Sequence, residues 1–315
     1  MKPRRTHLTV RHDIDASVQI AHRGQELLTY VYAPHDAQLE SPRPYVHPLY
    51  TMAGNLVSLL RPYDHVWHKG IAWSLPNVGP HNFWGGPSYV RDQGYVQLAN
   101  NGSMDHQRFT AMEASDDRAQ VCHELVWHEQ PADGQAVGAQ IVHEQRSLAV
   151  GVPTGDAWVL TFSSVITNVS GQRLDIGSPT TKGRENAGYG GLFWRGPRSF
   201  TGGTILAPGY AGGEQIRGTR AEWMGYTGRH DQSSAHSSLV VVDDAANPQH
   251  PPQWFVRNEM FAGVNPAPFF SQEVAFGPGE RLHFRYAVVI ADGAADPARG
   301  EELAELGRAA LGQWR

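Results

Sequence analysis

A single cysteine, Cys122, occurs in 315 residues. That excludes an intrachain disulfide framework and a cysteine-built zinc cage, and it suits a reducing compartment. Charged side chains are sparse, at 18%, and show no basic excess: 26 Lys and Arg stand against 31 Asp and Glu, a net charge of −5. Chains that grip nucleic acid or an anionic membrane normally carry a surplus or stripe of positive charge, so neither partner is expected. Long apolar runs are missing too. The most span-like stretch without Asp, Glu, Lys or Arg, residues 71–90, contains Pro76, Pro80, Pro87 and His81, which a spanning helix does not tolerate. Lys2, Arg4 and Arg5 open the chain with no apolar stretch behind them. No secretory signal, and hence a cytoplasmic location, is expected.

Turn formers, by contrast, are plentiful, with 34 Gly and 21 Pro, and so are His (16) and Trp (9). Many turns imply many strands. Period-two alternation confirms this in residues 158–167, where Trp158, Leu160, Phe162 and Ile166 share a face, and in 281–290, where Leu282, Phe284, Tyr286, Val288 and Ile290 alternate with His283 and Arg285. Residues 8–14, 18–22 and 26–32 read as an opening meander, with a hairpin turn at His22-Arg23-Gly24. Residues 121–128, 139–143 and 238–242 are further strands. Asn101-Gly102, Asp133-Gly134, Ser170-Gly171 and Gly277-Pro278-Gly279 supply turns. One helix is expected, over 297–311, from the spacing of Leu303, Leu306, Ala310 and Leu311. With no βαβ alternation, repeat or linker, the chain reads as one all-β antiparallel domain over 1–315.

Several catalytic motifs fail on inspection. His123 and His128 bracket a Glu but lie five residues apart, whereas HExxH needs four, and a strand would send them to opposite faces. The glycine-rich run 183–196 has no phosphate-binding fingerprint, and no GxSxG elbow occurs. Cys122, beside Val121 in a strand, reads as a buried structural thiol.

Residues 43–84 hold most of the unusual chemistry. Arg43 and His47 are followed by Arg61, Asp64, His65, Trp67 and His68, then by Asn82 and Trp84, all interleaved with Pro and Gly. The segment is too polar for a core and too aromatic for a solvated loop. Clefts for small polyols have this composition, because aromatic faces cover the C–H surface of a ring while planar polar groups satisfy its hydroxyls. His65 and His68, three apart, can converge in an irregular turn, and Asp64 can fix an imidazole tautomer. Two chemistries stay open for them. One is acid–base work, with no cofactor. The other is metal ligation, with His47, His65 and His68 joined by a carboxylate such as Asp64.

These motifs resemble the bacterial family labelled "PmoA family protein" or "methane oxygenase PmoA". The likeness rests on Arg43-Pro44-Tyr45 with His47-Pro48, on the Arg61–Gly70 segment, on Asn82-Phe83-Trp84-Gly85-Gly86, on Gly177-Ser178-Pro179, on Gly188 to Arg195, and on Trp254-Phe255-Val256-Arg257. Val66 departs from the family's usual proline. Particulate methane monooxygenase subunits are membrane proteins, so the absence of a spanning segment argues against that activity. A second resemblance, to galactose mutarotases (aldose 1-epimerases), lies in the C-terminal third. There Glu259 and the loop through Asn265-Pro266 precede a strand over 269–276, a Gly277-Pro278-Gly279-Glu280 turn and a last long strand. This likeness implies a β-supersandwich of the mutarotase type with a cleft lined by 43–86, 177–195 and 254–265, and Glu259 as general base. Where mutarotases place their histidine the chain has Gly177-Ser178-Pro179, so His65 or His68 would serve as acid.

The expectation that follows is a carbohydrate-active enzyme moving protons on a sugar or oxidised sugar by epimerisation, isomerisation or elimination. Arg43, Arg61, Asn82, Arg184 and Arg195, with His47, would orient hydroxyls, and Trp67, Trp84, Trp194 and Trp254 would form apolar walls. A sugar-binding module without catalysis is the rival. The partner is a carbohydrate or glycoside, with a homo-oligomer as a possible assembly.

Overall fold

The structure, a computed structural model, describes residues 7–313; the basic start at Lys2, Arg4 and Arg5 lies outside them. Two large sheets form the frame. One has eight strands in the spatial order Leu8–Asp13, Ser17–His22, Gln25–Val31, Tyr45–Leu49, Ile71–Ser74, Gly191–Arg195, Gly263–Ala267, Gln253–Arg257. The other has nine, in the order Tyr210–Gly212, Thr204–Ala207, Trp223–Arg229, His236–Asp243, Arg281–Asp292, Ala157–Asn168, Gln140–Gly151, Arg118–His128, Ser103–Ala114. Neighbouring strands in both sheets are antiparallel.

The alternation seen in the sequence explains how the sheets meet. Trp158, Leu160, Phe162 and Ile166 are all buried, and they join Phe284, Tyr286, Val288 and Ile290 in one core with Trp73, Trp194 and Trp254 from the other sheet. The Trp73 ring lies 5.0 Å from Phe284 across that interface. Within this apolar layer sits an ion pair, Arg146 on Glu144, with Nε–Oε1 at 2.7 Å and NH2–Oε2 at 2.8 Å. Trp127 Nε1 and Ser164 Oγ each donate to the same carboxylate at 2.7 Å. A buried carboxylate survives in a core only when its lone pairs are filled in this way.

The outer face of the nine-stranded sheet is covered by the C-terminal helix, Pro297–Gln313, through Leu303, Ala304 and Leu311 against Trp223, Val242 and Ala287. Gly300 and Gly307 let it approach. A Cβ at Gly307 would meet Val242 Cγ2 at 2.7 Å, and one at Gly300 would meet the Trp223 ring at 2.7 Å. Among the described residues no helix is long and apolar enough to cross a membrane.

Three expectations need correction. The 269–276 strand shrinks to Val274–Phe276, because Phe269 and Phe270 are buried in a turn. The 139–143 strand is the start of the much longer Gln140–Gly151. Cys122 is half-buried rather than buried, and accepts a hydrogen bond from Gln120 Nε2. His123 and His128 do diverge: His123 bonds Tyr30 and His106, and His128 bonds Asp105.

Candidate functional site

Among the described residues, no helix covers the outer face of the eight-stranded sheet. Alternation decides which side chains reach it. Along Gly191–Arg195, Trp194 joins the inter-sheet core while Phe193 packs outside with Trp84 and Phe261. Along Gln253–Arg257, Trp254 and Val256 point inward while Phe255 packs outside beside Tyr189. A cavity of about 350 Å³ lies on this outer face, at the lower end of the range for small-molecule sites. His65, Trp67, His68, Trp84, Arg184 and Tyr189 line one part of it, and Phe255, Arg257, Met260 and Phe261 another.

The loops that form its walls are fastened by buried polar side chains. Arg43, 2% exposed, bonds Ser74 Oγ at 2.6 Å and the carbonyls of Glu40, Ser41 and Trp67 at 2.8, 2.9 and 2.7 Å. Burial lowers its pKa to about 10, which leaves it charged. Asn82 accepts from the backbone N–H of Trp84 (2.8 Å) and Gly85 (3.0 Å) and donates to the Gly86 carbonyl. Gly85 and Gly86 have φ of +98° and +68°, and a Cβ at either would collide with Trp67 below 3.0 Å. Glycine is therefore required where Trp67 closes on this loop. Arg61 and Lys69 both clamp the buried Glu40. Burial alone would raise the Glu40 pKa, but these two cations bring it below the ordinary carboxylate range.

Two imidazoles face the cavity. The rings of His65 and His68 stack with centroids 4.7 Å apart and planes 25° from parallel. His65 Nδ1 lies 3.1 Å from Asp64 Oδ2, and Asp64 Oδ1 accepts from Arg198. Burial pushes the Asp64 pKa up, but hydrogen bonds from Arg198 and His65 outweigh it and hold the carboxyl at about 2. His68 is only 3% exposed, ringed by Phe193, Phe261, Trp84 and Trp67, and its Nδ1 has no partner. Burial, then the nearby His65, Arg195 and Arg43, push its pKa far below that of a free imidazole. His68 is therefore neutral at neutral pH. Tyr189, half-buried against Tyr95 with their hydroxyls 2.9 Å apart, keeps its phenol proton, its pKa raised first by desolvation.

Five of the expected site residues thus meet: His65, His68, Trp67, Trp84 and Arg184. Asp64 acts through His65. The others lie elsewhere. Arg43 and Asn82 shape the walls from behind, and Arg61 is spent on Glu40. His47 bonds Ser58 Oγ at 2.8 Å and does not join the other histidines. Among the described residues no group of three or more His, Cys, Asp or Glu is arranged to hold a metal, so the His47, His65 and His68 ligand set is not assembled. Trp194 and Trp254 are core residues whose indole N–H groups donate to the carbonyls of Val57 and Ala221. Arg195 is buried behind Phe261, its Cζ 4.3 Å from the ring centroid. Glu259 is exposed and does not line the cavity. Its backbone N–H donates to Glu214 Oε2 at 3.2 Å. The buried carboxylate of this region is instead Glu214, which also accepts from Arg257 Nε and the Asn258 N–H. Tyr189, Phe255, Met260 and Phe261 fall within the stretches expected to line the cleft but were not singled out, and Tyr95 lies outside those stretches. The period of two that made Trp254 a core residue also implied that Phe255 and Arg257 face outward.

No curated protein sequence matches the chain. Among solved structures, a TPR-domain containing protein from Parabacteroides distasonis is similar over 90% of this chain at 11% identity with a TM-score of 0.40, and the chain spans 48% of its length. A GH36 alpha-galactosidase AgaA from Geobacillus stearothermophilus, in complex with raffinose, is similar over 91% of this chain and 41% of its own, at 12% identity and a TM-score of 0.36. A GalM/aldose epimerase homologue from C. elegans is similar over 92% of this chain and 99% of its own, at 7% identity and a TM-score of 0.32. Likenesses this distant bear on neither substrate nor reaction. Sequence similarity is more direct: over residues 17–305 the chain matches, and so belongs to, the family of unknown function DUF6807.

Proposed function

We propose that this protein is a carbohydrate-active enzyme that transfers protons on a sugar held in the aromatic cavity. The observation that carries this reading is the pair of stacked imidazoles, one tethered to a carboxylate, inside a pocket walled by indole and phenyl rings. Aromatic faces suit the C–H surface of a sugar ring. Asp64, anchored by Arg198, orients His65 through Nδ1 and leaves Nε2 to exchange a proton with the ligand. Burial keeps His68 neutral, so it accepts or donates a hydrogen bond without adding charge. The acid–base group is thus His65, oriented by its aspartate, with neutral His68 beside it, and Glu259 takes no part.

The test is proton exchange. Sugars and keto-sugars incubated with the protein in heavy water are read by NMR for deuterium at carbon, which reports isomerisation, epimerisation or elimination, and for anomer interconversion, which reports exchange at the ring hydroxyl. A bound sugar that exchanges, and stops exchanging in His65→Ala, is the expected result. A sugar that binds with no exchange of either kind makes the cavity a binding module instead. If no sugar binds, the carbohydrate reading fails.

A further inference from the structure

The cavity is cationic although the chain as a whole is acidic, with a net charge of −5. Arg184 and Arg257 line it, and no Asp, Glu or Lys does. Arg184 is exposed and, among the described residues, is in no ion pair; its contacts are with Tyr95, donating to the hydroxyl and lying 4.7 Å from the ring centroid. Arg257 gives Nε to Glu214 at 2.9 Å, and its terminal nitrogens have no hydrogen-bond partner among the described residues. Glu214 is shared with Arg217, at 3.4 Å. Beneath Phe261, Arg195 is 1% exposed with both Nε and NH1 unpartnered. Asp64, whose charge favours the Arg195 cation, already accepts from Arg198 and lies 3.1 Å from His65 Nδ1. Glu259, which acts on Arg217, is the third carboxylate nearby. Among the described residues, Arg184 and Arg195 are thus left with no ion pair of their own, while Arg257 and Arg217 share Glu214.

The guanidinium of Arg184, on the cavity wall with no carboxylate of its own, is an open place for an anionic ligand group. Resting on the carbohydrate reading above, we infer that the ligand is a sugar acid, its carboxylate held by Arg184 and Arg257 while its ring lies on Trp67 and Trp84. Planar forks match a carboxylate, and the lysines or helix N-terminus usual around a phosphate are missing from the lining. Neutral sugars would leave the arginines unanswered, so the pocket selects by charge as well as by shape.

Calorimetric titration of the full chain with glucose, galactose, glucuronate, galacturonate and glucose 6-phosphate tests this. A uronate is expected to bind about tenfold or more tightly than its neutral parent, as a charge-assisted contact provides. The preference should shrink as salt is raised. Arg184→Gln, at an exposed position, should bring uronate and parent to similar affinity, and Arg184→Lys should restore part of the gap. Neutral sugars binding as well as uronates, phosphate ester binding better than uronate, or a preference untouched by Arg184→Gln would each overturn the inference while leaving the carbohydrate reading in place. No binding of any sugar would overturn both.

Discussion

At the scale of single residues, charge and its partners decide most outcomes. Asp64 is the member of the candidate site whose role is easiest to isolate, because it does not line the cavity itself. Asp64→Asn keeps the volume but removes the charge that orients His65. Sugar binding should survive, while exchange into heavy water should slow by about a hundredfold, the lower end of what a positioned acid–base group supplies. Equal loss of binding and exchange would mean that Asp64 only supports the loop. In the core, Glu144→Gln should lower the unfolding free energy by about 3–5 kcal/mol, since Arg146 then keeps a buried charge without its partner. Chemical denaturation measures this. The double variant Glu144→Gln, Arg146→Met should recover much of the loss, because the penalty lies in the stranded charge rather than in the missing pair.

At the scale of elements, two opposing effects meet in the C-terminal helix. Gly307→Ala gains about 1 kcal/mol of helix propensity. The new methyl would lie 2.7 Å from Val242 Cγ2 and 3.3 Å from Ala287 Cβ, and overpacking of that kind costs about 1–3 kcal/mol. Valine is stiff at χ1, so crowding wins. The variant should melt several degrees lower, whereas alanine at Gly312, which meets nothing within 4 Å, should be neutral or stabilising. Elements were the most legible part of the sequence. Alternation in 158–167 and 281–290 placed two central strands and their inner faces. The same rule was not carried to Trp194-Arg195 and Trp254-Phe255, where adjacent residues point to opposite faces. Size and aromaticity favoured the indoles as cavity walls, yet they fill the core. Tyr189 and Phe261 lie in the stretches expected to line the cleft, but only the folded chain brings Tyr95 beside them, so no local pattern marks it. Glu259 looked available because its mutarotase-like context was read without the hairpin geometry that turns it outward.

At the scale of the whole molecule, the abundance of histidine sets a pH response. Burial lowers the pKa of His22, His47, His68, His81, His106, His123, His230 and His283, the first cause in every case, with His68 and His123 the most affected. Below the unfolded imidazole value, about 6.5, the unfolded chain binds more protons than the folded one, so stability falls as pH falls. Asp243, which burial raises to about 6, works in the opposite sense as pH drops through that value, but it is one group against eight. Denaturant midpoints should therefore be flat above about pH 7 and decline steadily between about pH 6.5 and 5. A midpoint that rose on acidification through that window would contradict the neutral state of these rings.

The frame also separates two properties that many proteins tie together. Arg43 and Asn82 hold the cavity walls chiefly through main-chain carbonyl and amide groups of Glu40, Ser41, Trp67, Trp84, Gly85 and Gly86. Apart from proline's missing N–H, any amino acid offers those same atoms. The ties that hold the scaffold thus do not read the rings at Trp67 and Trp84, so a change of ring there alters packing and recognition while leaving those main-chain anchors in place.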